Sequence, residues 1–364
     1  MKLRFTTLLA LFLMFIISCK RKSEKQQGSS TMADYAFMID SLIATTQPRI
    51  FNGVVLITKD EQVQYVKEYG YADFEQKTPI SIDDHFRIMS NSKQITATLI
   101  LIEVQKGNIE LANSVKDYLS HFPASWADSV TVHQLLNMSS GIIALDKPLL
   151  FEPGNGYRYS NPGYGLLGRI LEEVTGETFV ENANALFRRL GMENTYCYEL
   201  GQSRNELINS YWIKDGQLSK VAFDSMGFTQ ESWKDFVPAG GIISHAKDLV
   251  IWDHKLHKGE IIDSHHLQLM KASSNRGPHA AFDNDTIGYG YGLRIHDTHS
   301  TYHLGHGGRG FGFASIKFYI PDKDVDVIIW ENVYSRDTNW LAGDMVYHFE
   351  NEIRKIVLNS SLVD

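Results

Sequence analysis

Cysteine is nearly missing from this chain. Its 364 residues hold two, Cys19 and Cys197, which excludes a disulfide-stapled scaffold. A basic surplus is also missing, because 35 Lys and Arg stand against 43 Asp and Glu for a formal charge of −8. Without excess cations to displace the counterions of a phosphate backbone, nucleic acid is excluded as a partner. No apolar run reaches the roughly 20 residues that a spanning helix needs. The most extended, Phe5 to Ile17, is broken by Thr6 and Thr7. Internal repeats are absent, and disorder is excluded for most of the chain by 43% hydrophobic and 12% aromatic residues.

What is present begins with an export pattern. Lys2 and Arg4 precede the apolar run, and Ser18-Cys19 closes it. Ile16-Ile17-Ser18-Cys19 resembles a bacterial lipobox, which implies residues 1–18 as a lipoprotein signal peptide and lipidation of Cys19. Several acyl chains on one residue give stable membrane attachment, where a single chain does not. Residues 19–32, rich in Lys, Ser and Gln, read as a flexible tether. The expected location is therefore the bacterial cell envelope, with the protein exported and held to a membrane through Cys19. Cys197, between Tyr196 and Tyr198, reads as a buried structural thiol.

Residues 33–360 read as one α/β (α+β) catalytic unit. An amphipathic helix is expected over 33–44, followed by a hairpin of Gly53-Val-Val-Leu-Ile-Thr and Val63-Gln-Tyr-Val-Lys-Glu-Tyr. Helical periodicity then dominates, over 95–106, 132–138, 164–175, 179–190 and 246–258. Strand patterns return at 290–295, 301–304, 311–319 and 325–330, about three of them strands of the main sheet, before a last helix over 340–356. Short links between the late strands favour antiparallel pairing. The expected architecture is an antiparallel sheet built from both chain ends (33–90 and 285–360), flanked by terminal helices and interrupted by a mostly helical lobe (91–284). A ligand site is expected in the crevice between the lobes.

Ser90-Asn-Ser-Lys93 lies at a loop-to-helix transition. Residues three apart share a helix face, and the positive end of the helix with its free N–H groups suits a developing alkoxide. Lys93 can act on the hydroxyl directly or electrostatically through a second base. Alone this spacing means little, since a chain this rich in Ser and Lys carries about one match by chance. Ser244-His-Ala-Lys247 is such a second match, and Ser244 there reads as a helix N-cap. Only Ser90 is followed in order by Tyr159-Ser-Asn161 and His306-Gly-Gly308. In isolation Tyr159 would read as packing and either His303 or His306 as a strand residue.

Together, Ser90-x-x-Lys93, Tyr159-x-Asn161 and His306-x-Gly308 resemble the active-site elements of the serine penicillin-recognising enzymes. That group comprises class C β-lactamases, D-Ala-D-Ala carboxypeptidases, D-aminopeptidases and esterases of the same fold. Thr131-Val-His-Gln-Leu-Leu-Asn, Phe151-Glu-Pro-Gly154, Pro238-Ala-Gly-Gly and Gly305-His-Gly-Gly-Arg-Gly-Phe-Gly-Phe313 are similar to its flanking segments, and the last selects His306 over His303. The resemblance implies a serine hydrolase with Ser90, Lys93, Tyr159 and His306 as catalytic residues. Ser90 would form an acyl-enzyme, and Tyr159 would take its proton as a phenolate stabilised by Lys93 and His306. Asn161, Gly308 and Arg309 would contact substrate, with the N–H groups of Ser90 and Arg309 as an oxyanion hole. The implied partner is a small molecule or peptide of the peptidoglycan kind. Oligomeric state stays open.

One departure matters. Many members carry Lys-Thr-Gly where this chain has His306-Gly307-Gly308, so the hydroxyl that helps hold a substrate carboxylate is missing. Arg309 or Arg294 would have to compensate. This shifts expectation from penicillins toward D-aminopeptidase-like or esterase-like substrates. Neither a cofactor nor a metal is expected: His254-x-x-His257, His265-His266, His296-x-x-His299 and Asp283-Asn284-Asp285 lack further ligands at a recognised spacing, and all read as solvated surface residues.

Overall fold

Apolar runs from the two ends of the chain meet in one sheet. The computed structural model describes residues 34–47, 50–202, 207–214, 216–283, 285–297, 301–335 and 346–364. The expected signal peptide, tether and Cys19 lie outside the described residues. Strand β1 (Gly53–Lys59) is an unbroken apolar run, buried along almost its whole length, as a strand covered on both faces must be. It turns into β2 (Gln62–Tyr69) through Asp60 and Glu61, both with positive φ (49° and 61°). Two left-handed residues form the tight link whose twist matches a hairpin. Late in the chain come β5 (Asn275–Pro278), β6 (Thr286–Tyr289), β7 (Arg294–His296), β8 (His303–Gly310), β9 (Phe313–Ile320) and β10 (Val325–Glu331). They join the hairpin in one antiparallel eight-stranded sheet of order β5-β6-β7-β8-β9-β10-β1-β2. A small pairing of β3 (Phe86–Arg87) with β4 (Ile242–Ser244) ties the helical lobe to it.

Alternation sorts side chains to the two faces. Val55, Ile57, Ile316, Phe318, Val327 and Ile329 pack against helix α1 (Asp34–Thr45) and helix α6 (His348–Leu358). On the opposite face Val54, Leu56, Ile328 and Trp330 meet the lobe that carries helices α2 (Ser92–Gln105), α3 (Asn161–Thr175), α4 (Gln230–Gly240) and α5 (Ala246–His257). Within that interface Lys317 of β9 ion-pairs with Asp253 of α5 and donates to Gln94 Oε1 at 3.0 Å, all three side chains being buried.

The antiparallel sheet with terminal helices and a helical lobe is as expected, and three details differ. Six late strands form, rather than about three, and the first begins at Asn275. Its Asn-Arg-Gly-Pro sequence has no alternation to betray it. Helix α3 starts at Asn161, three residues before the periodic stretch, because Ser160 caps it: Ser160 Oγ accepts from Gly163 N–H at 3.0 Å, with Pro162 in the first turn. Part of the last expected helix, residues 340–345, lies outside the described residues. Finally, the His257 side chain and His296 are buried rather than solvated: His257 stacks on Tyr319 with centroids 4.4 Å apart, and His296 on His303 at 4.5 Å.

Candidate active site

The nucleophile candidate sits on a strained turn. Ser90 occupies a single 3-10 turn, Met89–Asn91, immediately before α2. Met89 has φ of 50°, a conformation that costs a non-glycine residue about 1–2 kcal/mol and persists only where its surroundings hold it. Three contacts do so here. Ile88 N–H donates to Ile242 O at 3.1 Å, and Asn91 Nδ2 donates to Ile88 O at 3.1 Å and to Ser315 Oγ at 2.9 Å. Gly308 of β8 completes the clamp by close approach: a Cβ there would lie 2.5 Å from Ile88 O and 2.9 Å from Met89 Cβ. Gly308 is thus required by packing against the turn, beyond any contact with substrate.

Lys93, on the second residue of α2, reaches back one turn. Its Nζ lies 3.2 Å from Ser90 Oγ, 2.8 Å from Asn161 Oδ1 and 2.7 Å from Ala239 O. The last contact explains Pro238-Ala-Gly-Gly. Pro238 and Ala239 lie in the last turn of α4, where helix carbonyls have no partner of their own, and Thr96 Oγ1 donates to Pro238 O at 2.6 Å while Lys93 Nζ donates to Ala239 O. Lys93 is fully buried. Burial, and secondarily the Arg294 guanidinium, hold its amine well below the ordinary lysine range.

Tyr159 and Asn161 flank the Ser160 cap, so the start of α3 presents both to the same place. Lys93 Nζ lies 4.8 Å from the centre of the Tyr159 ring, and Arg294 Cζ 5.4 Å from it. Among the described residues Tyr159 Oη has no partner at full hydrogen-bond geometry, although Ser90 stands close enough to lower its pKa. Burial outweighs that pull and those of Arg294 and Arg309, and pushes the phenol up.

His306 comes from β8. Its ring lies 6.0 Å from that of Tyr159, but both nitrogens are committed elsewhere. Nδ1 faces Gly307 O at 2.6 Å and Nε2 faces Tyr289 Oη at 3.2 Å. A carbonyl can only accept, so Nδ1 carries the proton and Nε2 accepts from Tyr289. Burial, with Arg294 next, keeps the ring neutral. His306 therefore brings no charge to Tyr159, whereas the Arg294 guanidinium stands 5.4 Å from that ring. Arg294 is itself buried, donates to Tyr157 Oη at 3.2 Å, and leaves Nε and Nη1 without a partner among the described residues. Arg309, next on β8 after Gly308, is exposed.

The structure thus brings Ser90, Lys93, Asn161, Tyr159, His306 and Gly308 together where the sheet meets the helical lobe. The second Ser-x-x-Lys does not converge. Ser244 lies in β4 and bonds Thr195 Oγ1 at 2.7 Å, while Lys247 reaches out to Asp83 at 2.5 Å. Nor is Ser244 the cap, since the strand extends through it and His245 Nδ1 accepts from Asp248 N–H instead. Cys197 is buried with its thiol pushed up by burial. The Ala239 carbonyl, Tyr289 and Arg294 carry parts of the site that motif reading missed or left secondary. The Gly288-Tyr-Gly-Tyr-Gly-Leu293 run is a signal for Tyr289 and the adjoining Arg294: Gly292 has φ of 65°, and a Cβ there would lie 2.5 Å from Lys93 O.

Against known proteins, the Beta-lactamase family model matches residues 38–343. The chain belongs to the Beta-lactamase family. A D-aminopeptidase of Brucella anthropi is 26% identical over 313 residues, covering 77% of this chain and 56% of that protein. A penicillin-binding protein of Bacillus subtilis is 27% identical over 279 residues, 66% of this chain and 59% of the relative. This β-lactamase-family chain therefore spans less than three fifths of the length of these curated relatives. Among solved structures, the D-amino acid amidase of Ochrobactrum anthropi SV3 superposes with a TM-score of 0.73 at 24% identity, over 90% of this chain and 99% of the amidase. The octameric penicillin-binding protein homologue from Pyrococcus abyssi gives the same TM-score and identity over 90% of this chain and 77% of its own. EstCE1, a hydrolase with promiscuous acyltransferase activity, gives 0.72 at 22% identity, over 90% of this chain and 98% of its own. At these identities the structures establish the fold.

Proposed function

We propose that this chain is a serine hydrolase that works through an acyl-enzyme on Ser90 and takes amides or peptides of D-amino acids. The observation that carries the reading is the environment of Lys93. Its buried amine, with a depressed pKa, is 3.2 Å from Ser90 Oγ and spends its other two contacts on acceptors, Asn161 Oδ1 and Ala239 O. A neutral amine has two N–H groups and one lone pair. The two acceptors occupy the N–H groups, which leaves the lone pair for the Ser90 O–H.

Lys93 is then the base of the free enzyme. Tyr159, with its phenol pushed up, keeps its proton as a donor rather than serving as the phenolate that the family resemblance implied. Ser90 Oγ bonds to the acyl carbon as its proton passes to Lys93 Nζ. The bond to the leaving group breaks as that group gains a proton, which the Tyr159 O–H supplies and Lys93 replaces. Water repeats the sequence to release the acid. Ser90 and Arg309 N–H groups serve the oxyanion, a contribution of about 3–4 kcal/mol per donor in comparable sites.

Substrate preference follows from Gly307, where no hydroxyl meets a carboxylate. This supports amides and peptides over penicillins, and it favours a second reading, an esterase or lactone hydrolase using the same residues. The lipobox-like Ile16-Ile17-Ser18-Cys19 supports an exported, lipid-anchored protein facing the cell envelope. Mass spectrometry after exposure to a fluorophosphonate, and separately to a penicillin, tests the chemistry. Label on Ser90 from both supports peptidase chemistry, and label from the phosphonate alone moves the reading to esterase. With no label from either, a ligand-sensing protein without turnover replaces both. Comparing D-alanyl peptides with short acyl esters then ranks the two enzymes.

A further inference from the structure

The missing hydroxyl at position 307 has a cause, and it points to another residue. A Cβ on Gly307 would lie 2.5 Å from Ala281 Cβ and 3.4 Å from His279 Cε1. The space a threonine needs is already held by the 3-10 turn Ala280–Phe282 and by the histidine before it. His279 is fixed there. Its Nδ1 accepts from Ala281 N–H at 3.1 Å, and its ring stands 6.4 Å from Tyr159, 6.2 Å from His306 and 6.0 Å from Tyr347 between centroids. Since Nδ1 accepts, the neutral ring carries its proton on Nε2. Burial first, then Arg294, holds the ring neutral. Among the described residues no group accepts from Nε2.

We propose that His279 determines specificity in the Ser90 site: its Nε2–H donates to a carbonyl or carboxylate oxygen on the leaving-group side of an amide substrate, in place of the hydroxyl that position 307 lacks. The inference rests on Ser90 as the nucleophile. Arg294, with Nε and Nη1 unpartnered beside the same Tyr159 ring, supplies charge to the neighbouring lone pairs. The preferred substrate is therefore an amide whose departing residue carries an acceptor oxygen, ahead of a simple amide that loses only ammonia.

The test compares kcat/KM for D-phenylalanyl-glycinamide and D-phenylalanine amide on the purified full chain. In His279→Asn the amide oxygen takes the place of Nδ1 and keeps the Ala281 cap while the Nε2 donor is withdrawn. In His279→Gln an amide N–H comes close to the Nε2 position. His279→Asn should lower kcat/KM for the glycinamide substrate roughly ten- to hundredfold more than for the simple amide, and His279→Gln should recover much of that difference. Equal loss on the two substrates, or no loss on either, overturns the proposal. Ser90→Ala separates it from the underlying reading: turnover that survives this change sinks the nucleophile, whereas an unchanged substrate ratio in His279→Asn sinks only His279.

Discussion

Replacing Lys93 by methionine separates catalysis from stability. Methionine matches the lysine stem in length and removes the amine. Fully buried, Lys93 keeps its charge off by a depressed pKa, so the fold gains little from it. Its loss leaves Asn161 Oδ1 and Ala239 O each short of a donor, at about 1–3 kcal/mol each where water cannot reach. The relief of amine desolvation works in the opposite direction, and the net change in stability should stay within about 2 kcal/mol. Catalysis should suffer much more, because a positioned base contributes about 10²–10⁴ in rate, or about 3–5 kcal/mol. The assay is the second-order rate of fluorophosphonate labelling of Ser90 against pH, alongside urea unfolding. The reactive species is the neutral amine, so the wild-type rate should rise with pH as Lys93 loses its proton. Because its pKa is lowered, the plateau should arrive well below the ordinary lysine value of about 10.4. Lys93→Met should lose that rise together with the rate. A variant that labels within about tenfold of wild type, or whose activity falls only in step with unfolding, would refute the reasoning.

Gly308→Ala should place its methyl 2.5 Å from Ile88 O and disturb the nucleophile turn; labelling of Ser90 should fall by about a hundredfold or more, and a rate near wild type would mean that the turn is not clamped. Lys317→Met leaves the buried Asp253 carboxylate without its partner and should cost about 3–5 kcal/mol in urea unfolding, with part of it recovered when Asp253→Leu is added. Cys19→Ser should move the protein from the membrane fraction to the soluble fraction of cells, where an unchanged distribution would remove the lipid anchor.

Reading the chain alone went furthest where periodicity and short motifs agree. The β1–β2 hairpin, the long late strands and the ordered trio at Ser90, Tyr159 and His306 are written in alternation, spacing and glycine placement, and they converge in space. The short strand at Asn275–Pro278 escaped because register with a neighbour, not its own pattern, makes it a strand. The same holds for the site's inner partners. Ala239 contributes a carbonyl, which any residue has, so only the fold reveals it. Arg294 and Tyr289 are a buried cation and a buried phenol that pattern reading treats as secondary, and His306 is neutral because burial and the nearby Arg294 disfavour its charged form. Charge state depends on burial and neighbours. Motifs report neither, so spacing alone does not divide the proton-transfer roles between Lys93 and Tyr159.

Catalysis turns on convergence at one hydroxyl, and a crystal structure of the phosphonate-treated protein tests it most directly. One adduct on Ser90 is expected, with Lys93 Nζ and Tyr159 Oη both within hydrogen-bonding distance of its oxygens or of Ser90 Oγ. An adduct on any other residue, or one on Ser90 from which Tyr159 and Lys93 both stand apart, would contradict it.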